Sequence, residues 1–147
     1  EILEKNYFLL KENCPDINFF ITSVLSIFNS FNLCDLQKHW IKNNQLSPSR
    51  LSINVLSSPS EMSLNCLPLD FKDQVCNKIK EHINFLKTVG DSKKLINEWE
   101  NAIDFMYKED HSYLLEKFFK DNDILDTHRN QQFEEFFPEY KSLRSYI

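Results

Sequence analysis

Two uncharged apolar segments flank a helical pattern in the amino-terminal half of the chain. The first, Ile17–Phe28, mixes Ile, Phe, Val and Thr with little alternation, which predicts a strand covered on both faces. The next segment, about Asp35–Asn43, has helical spacing, and Asp35 is a candidate N-cap. In Leu51–Leu56 apolar and polar residues alternate, which predicts a second strand. A strand–helix–strand unit of this kind places its two strands parallel.

Helical periodicity accounts for most of the remaining chain. The first residues, Glu1–Asn13, predict a short helix with one apolar side. A long helix is predicted from Pro68, a residue that suits the first helical turn, to about Val89. Gly90 follows it in the position where a left-handed residue commonly ends a helix. The apolar residues of the first helix are Ile2, Leu3, Phe8, Leu9 and Leu10.

Three more helices are predicted towards the carboxyl terminus. Asp91 can cap the first of them and Asp110 the second. The third covers Asp123–Phe136 and is broken at Pro138, after which the last residues are expected to form an exposed tail. The aromatic residues of this last helix either pack on the core, with Arg129 bound to a carboxylate, or form a docking helix for a partner.

The predicted sheet is small for strands of this composition. Two parallel strands leave both sheet edges open and bury little area, whereas strands this apolar normally have more neighbours. We therefore expect the additional strands to come from a preceding amino-terminal part or from another copy of the chain. The fold class predicted from these patterns is α/β.

Composition narrows the classes of function. The net charge is −5 without a basic stripe, so nucleic acid is not an expected partner. No apolar run reaches the roughly 20 residues of a membrane helix and no signal-peptide pattern is present, which predicts a cytoplasmic protein without a membrane partner. A chain with a single glycine has no glycine-rich phosphate loop and no GxSxG elbow, which argues against kinase and hydrolase functions. Because the sequence starts with Glu1 rather than Met, we expect a processed chain or a piece of a longer one.

The spacing of cysteine and histidine predicts no metal site. The four cysteines lie far apart, whereas zinc and iron–sulfur sites draw at least two ligands from one short segment. We interpret them as buried or half-buried free thiols in a reducing compartment. The histidines are scattered and are assigned structural or surface roles. These residues are Cys14, Cys34, Cys66, Cys76, His39, His82, His111 and His128.

Small polar residues end both predicted strands, and they are the candidate binding residues. Ser26 and Asn29 follow the first strand, and Asn54, Leu56 and Ser57 end the second. Side chains at such positions can bind ribose hydroxyls, and free backbone groups there can bind an adenine edge. Ligands of parallel α/β proteins bind at these carboxyl ends. The alternative is that Asn and Ser occur here because they favour turns.

Three segments together resemble the last part of twitch-domain-containing radical SAM proteins, many of which occur in marine phages and bacteria. They are Ser23–Trp40 (SVLSIFNSFNLCDLQKHW), Ile53–Pro68 (INVLSSPSEMSLNCLP) and Leu125–Tyr140 (LDTHRNQQFEEFFPEY). The order of strand, helix, strand, LP-led helix and helical tail is also similar. The resemblance covers nearly the whole chain from about Pro15.

The resemblance implies a partial (β/α) barrel of parallel strands with a helical carboxyl-terminal extension. Residues 1–68 would then be the last β–α–β portion of the barrel and residues 69–147 the extension. In this family a [4Fe–4S] cluster on a CxxxCxxC loop binds S-adenosylmethionine and cleaves it reductively, and the resulting radical abstracts hydrogen from a substrate. Carried over to this chain, Ser26 and Asn29 lie near the ribose, and Asn54, Leu56 and Ser57 lie near the adenine.

One departure from the family pattern decides what this chain can do alone. No CxxxCxxC segment is present, and the cluster chemistry needs those ligands. We therefore expect a carboxyl-terminal portion, either truncated or encoded as a separate piece, that is inactive by itself and whose partner is the missing amino-terminal barrel half, on the same or a separate chain. S-adenosylmethionine and the [4Fe–4S] cluster are expected in the full-length protein only. The alternative is a non-enzymatic α/β–helical interaction module that uses its open strand edge or its terminal helix.

Overall fold

A computed structural model of the chain describes residues 2–43 and 46–147, so Glu1, Asn44 and Gln45 lie outside the described residues. The described part is a mixed α/β structure, mostly helical, with two parallel strands in one sheet. In chain order the elements are α1 (Ile2–Asn13), β1 (Ile21–Leu25), α2 (Leu33–Lys42), β2 (Leu51–Val55), α3 (Leu69–Lys87), α4 (Lys93–Lys108), α5 (Leu115–Arg129) and α6 (Phe133–Phe136). A nine-residue 3-10 segment, Pro138–Tyr146, follows α6. One hydrophobic cluster extends from Tyr7 to Leu143.

The β1–α2–β2 unit confirms the predicted parallel strand pair. Ile21 pairs with Leu51 and Leu25 with Val55, and the ladder continues one residue further, where the Leu56 amide donates to the Leu25 carbonyl at 2.8 Å. Both strands are shorter than the apolar segments that predicted them. The carboxyl ends of both strands therefore meet at one end of the sheet.

The sheet is covered on one face only, so the prediction that β1 is covered on both faces is wrong. Leu25, Leu51 and Ile53 are buried on the covered face. Thr22, Val24 and Asn54 are exposed on the opposite face. Successive side chains of a strand point to opposite faces of the sheet, so half of the β1 side chains lie on the bare face. Apolar residues of β1 are therefore not all buried. Val24, half of which is exposed, is the clearest case.

A buried polar junction joins the three helices α2, α3 and α4. The Gln37 Oε1 atom accepts a hydrogen bond from Trp99 Nε1 at 2.9 Å and lies 3.0 Å from His82 Nε2. Both donors can be satisfied by this oxygen only when His82 carries its proton on Nε2. Burial lowers the pKa of His82 to about 4, so the imidazole is neutral at pH 7. The prediction of a structural role for His82 agrees with this position.

The amino-terminal helix is present, but its predicted apolar side does not lie on the core. Only Tyr7 of α1 is buried, and its ring contacts the rings of Phe19 and Trp40. A bond between Glu4 and His39 adds a polar contact to α2. The five residues of the predicted apolar side are each about half exposed or more.

Several helix boundaries differ from the predictions because local backbone geometry competes with residue preference. Asn32, not Asp35, precedes α2 as N-cap, and Asp35 lies in its first turn. Asp91, not Gly90, has the left-handed backbone after α3, with φ of 60°. The helix predicted over Asp123–Phe136 is interrupted because α5 continues to Arg129 and Asn130 is left-handed.

The carboxyl-terminal residues are part of the core, so the prediction of an exposed tail is wrong. Tyr140 and Leu143 are fully buried. Arg144, and not the predicted Arg129, binds carboxylates, and it forms ion pairs with Asp123 and Glu134. We call residues 133–146 the carboxyl-terminal segment. No helix among residues 2–43 and 46–147 has the length and apolar character needed to cross a membrane.

Candidate functional site

The loop after β1 is held by its own side chains. The Asn29 Oδ1 atom accepts a hydrogen bond from the Ser26 amide, and its Nδ2 atom donates to the Val24 carbonyl, both at 2.9 Å. Both ends of the Asn29 amide are therefore used within the loop. Ser26 is buried, with 8% of its surface exposed. This arrangement favours the turn-forming interpretation of these two residues over direct contact with a ligand.

The loop after β2 is more accessible. Asn54 and Ser57 are exposed, and Leu56 is half-buried with its amide bonded to β1. Because Val24 and Asn54 are register partners, Asn54 lies beside the residue whose carbonyl binds Asn29. The sequence thus correctly placed the two loops at one end of the sheet. Of the five candidate residues, Asn54 and Ser57 present their side chains to solvent.

The carboxyl-terminal segment covers the loop after β1. The Tyr140 hydroxyl lies 2.6 Å from Ser30 Oγ and donates to the Ile27 carbonyl. Asn32 Nδ2 donates to Glu139 at 2.6 Å. Burial raises the pKa of Tyr140 well above its usual range, so its hydroxyl stays protonated and able to donate.

Tilted and edge-to-face contacts between aromatic rings add to the same contact. The ring of Phe28, in the loop, packs against the rings of Phe118, Phe133 and Phe137. Sequence reasoning assigned these aromatic residues to an amphipathic helix but did not connect them with the strand ends. The repeated aromatic residues of the FEEFFPEY stretch were the available signal.

The free edge of β2 is sealed by a carboxylate from α4. Glu98 Oε2 accepts a hydrogen bond from the Ile53 amide at 3.0 Å, and Ser52 Oγ donates to both oxygens of Glu98 at 3.0 and 3.1 Å. Because the ladder bonds of β2 go through Ser52, Asn54 and Leu56, the Ile53 amide points away from β1. Another strand cannot pair there without displacing Glu98.

The free edge of β1 is open by contrast. The Leu25–Leu56 bond fixes the ladder phase, so Ile21, Ser23 and Leu25 face β2, while Thr22 and Val24 point outward. The Val24 carbonyl accepts a hydrogen bond from the side-chain amide of Asn29. Within residues 2–43 and 46–147, no hydrogen bond reaches the Thr22 backbone or the Val24 amide. The edge at β2 is therefore blocked at Ile53, whereas the edge at β1 keeps the Thr22 and Val24 amides open.

The cysteines do not fit an iron–sulfur cluster. Cys34, Cys66 and Cys76 are buried and Cys14 is half-buried, all as free thiols, which confirms the prediction for their burial. Burial raises the pKa of Cys34 and of Cys66 to about 12, whereas a metal needs the thiolate. No group of three or more His, Cys, Asp or Glu in the described part of the chain is arranged to hold a metal ion.

An open groove lies away from the strand ends. It has a volume of about 870 Å³ and runs along the start of α4, with Ser49, Lys87, Lys94 and Glu98 in its wall. None of the five candidate residues lines it. This groove is therefore not a nucleoside pocket formed by the strand ends.

No family of known proteins, no curated protein and no solved structure matches this chain.

Proposed function

We propose that this chain is the closing part of a larger parallel α/β barrel of the radical SAM type. Its β1–α2–β2 unit would form the nucleoside-side wall of the barrel, and its carboxyl-terminal segment would cover the strand ends. The chain would be inactive alone, because the cluster ligands and the remaining strands would come from the amino-terminal half.

The asymmetry of the two sheet edges carries this proposal. In a barrel, preceding strands would add to β1 and the last strand would end the sheet at β2. The edge at β2 is sealed by Glu98, and the edge at β1 keeps outward amides at Thr22 and Val24. The bare sheet face, which carries Thr22, Val24, Ser52 and Asn54, would face the barrel interior.

The geometry modifies the ligand roles that the resemblance implied. Asn29 accepts a hydrogen bond from the Ser26 backbone amide and donates one to the Val24 carbonyl, so we assign Ser26 and Asn29 to shaping the loop. Asn54 is exposed on the bare face close to the carboxyl end of β2 and keeps its amide available to a nucleoside. When bound, the cluster and S-adenosylmethionine would supply the reductive cleavage chemistry, and this chain would supply part of the nucleoside wall only.

The test uses the longer polypeptide that contains this chain. After anaerobic reconstitution with iron and sulfide, we expect bound iron and release of 5′-deoxyadenosine from S-adenosylmethionine. Replacing Asn54→Ala should weaken S-adenosylmethionine binding about tenfold, the effect of losing one good hydrogen bond. The matched control is Asn101→Ala, an exposed asparagine on α4, which should leave binding unchanged. Absence of iron and of S-adenosylmethionine cleavage in the longer polypeptide would refute the proposal.

Exposed apolar residues on α1 favour the interaction module as a second candidate. Ile2 and Leu3 are 79% and 61% exposed, and Leu9 is 55% exposed. A partner that lies on α1 would be recovered by cross-linking at these positions irrespective of any cluster. The two candidates separate in one comparison, because a module binds its partner equally well without iron.

A further inference from the structure

We infer that the free edge of β1 pairs with the same edge of a second copy of this chain, antiparallel, with Thr22 opposite Thr22 of the copy. This inference rests on the proposed function, because both take the free edge of β1 as an edge that accepts another strand. It concerns the 147-residue chain by itself. The result would be a four-stranded sheet with a two-fold axis beside Thr22.

The edge strand itself lacks the residues that normally prevent strands from pairing, and the nearest charge described is the Arg50 guanidinium, 4.9 Å from the centre of the Phe20 ring. Natural edge strands carry charged residues, proline or bulges that block another strand. From Ile17 to Cys34 the sequence contains no charged residue and no proline. Phe20 and Val24, on the bare face, are 67% and 51% exposed. Burial of these side chains would favour association.

The hydrogen-bonding groups select the register. With Thr22 opposite Thr22 of the copy, each Thr22 amide donates to the other Thr22 carbonyl, and each Val24 amide donates to the Phe20 carbonyl of the other copy. None of these four bonds needs the Val24 carbonyl, which already accepts the Asn29 amide. A register centred on Ser23 would need that carbonyl for half of its bonds and is therefore less favourable.

Side chains on the bare face are complementary in the same register. Phe20 of one copy lies opposite Val24 of the other, and the two Thr22 side chains lie opposite each other. Aromatic with β-branched pairs and threonine pairs each stabilise antiparallel strands by a few tenths of a kcal/mol to about 1 kcal/mol. The sequence Phe20–Val24 is thus self-complementary about its central residue.

The exposed apolar area near this edge suits a dimer. Tyr7 of α1 contacts Phe19, just before β1, with ring centroids 5.1 Å apart, so α1 adjoins the strand. Exposed apolar side chains of α1 and of residues 17–24 lie near this edge, and those that the second copy covers would add apolar burial to the strand pairing. They are Ile2, Leu3, Phe8, Leu9, Leu10, Ile17, Phe20 and Val24.

Size-exclusion chromatography with light scattering gives the first test. We expect a mass near twice 17.6 kDa for the unmodified chain. Thr22→Pro should give the monomer mass, because proline removes the outward amide without breaking a bond to β2. Val24→Lys places a charge on the bare face and should also give the monomer mass. It replaces the proline variant in this test if Thr22→Pro unfolds. A monomer at all concentrations for the unmodified chain would overturn the inference.

Disulfide trapping tests the register. In a Cys14→Ser background, Thr22→Cys should form a covalent dimer on mild oxidation, because opposed residues lie about 5.5 Å apart between Cα atoms. Val24→Cys is the matched control, since its two copies would be about 14 Å apart in this register. A dimer that Thr22→Cys does not trap and that Thr22→Pro does not dissociate would overturn the inference. These results do not depend on iron, so they are separate from the test of the proposed function.

Discussion

Removing the Glu98 carboxylate tests whether α4 holds the sheet edge closed. Glu98 is the acceptor for the Ile53 amide and the Ser52 hydroxyl, and its side chain is 21% exposed. Lys94 lies 3.4 Å away but is 67% exposed, so this ion pair adds little to stability. Substitution Glu98→Ala leaves the Ile53 amide, at the edge of a small sheet, without its acceptor.

The expected cost follows from these contacts. A hydrogen bond to a charged acceptor contributes about 1.5–3 kcal/mol to stability, and the hydroxyl bond adds to this only in part because Ser52 can turn to water. We expect Glu98→Ala to lower the free energy of unfolding by about 2 kcal/mol. Glu98→Gln keeps a neutral acceptor and should lose about half as much.

Urea unfolding followed by circular dichroism measures this difference directly. The matched control is Glu100→Ala, an exposed glutamate on the same helix, for which we expect a change below about 0.5 kcal/mol. The dependence of the unfolding free energy on urea should stay the same, because the buried area is unchanged. A loss below about 0.5 kcal/mol for Glu98→Ala would refute the assignment of Glu98 as the group that closes this edge.

Three further predictions concern the core and the strand-end loop. Because burial holds the pKa of His82 at about 4 against 6.5 when unfolded, protonation favours the unfolded state as the pH falls. The free energy of unfolding measured with urea should fall by about 2 kcal/mol between pH 7 and pH 5. An equal fall in a His82→Gln variant would contradict the assignment of this pH dependence to His82. Tyr140→Phe removes the hydroxyl bonded to Ser30 and should cost about 1–2 kcal/mol in thermal or urea unfolding, whereas exposed Tyr113→Phe should cost nothing measurable. Asn29→Ala should cost about 1–2 kcal/mol and speed hydrogen exchange at the Ser26 amide, and unchanged exchange there would exclude the loop bond.

The strand–helix–strand unit was predictable because its signals are local. The apolar segments, the helical spacing between them and the parallel pairing all follow from short stretches of sequence, and the register confirms them. The strand ends were also placed correctly, since parallel strands share one end. The state of the candidate residues was not predictable, because Asn29 is recruited by a carbonyl five residues earlier and not by a ligand.

Other failures depend on contacts between distant parts of the chain. Burial of Tyr140 depends on Ser30 and Ile27, more than one hundred residues away in sequence. Periodicity alone indicated an apolar side for α1, but a sequence pattern does not tell whether another element covers that side. Glu98 was not singled out because a single carboxylate on a helix normally remains in solvent.

The shared oxygen of Gln37 has a consequence for how this protein can change over time. The side-chain oxygen of Gln37 accepts hydrogen bonds from both His82 and Trp99. Replacing Gln37 by an apolar side chain therefore leaves two buried donors, on two other helices, without an acceptor. Substitutions at these three positions should therefore be tolerated together and rejected singly. Relatives of this chain, when aligned, should either keep all three residues or exchange all three for apolar ones.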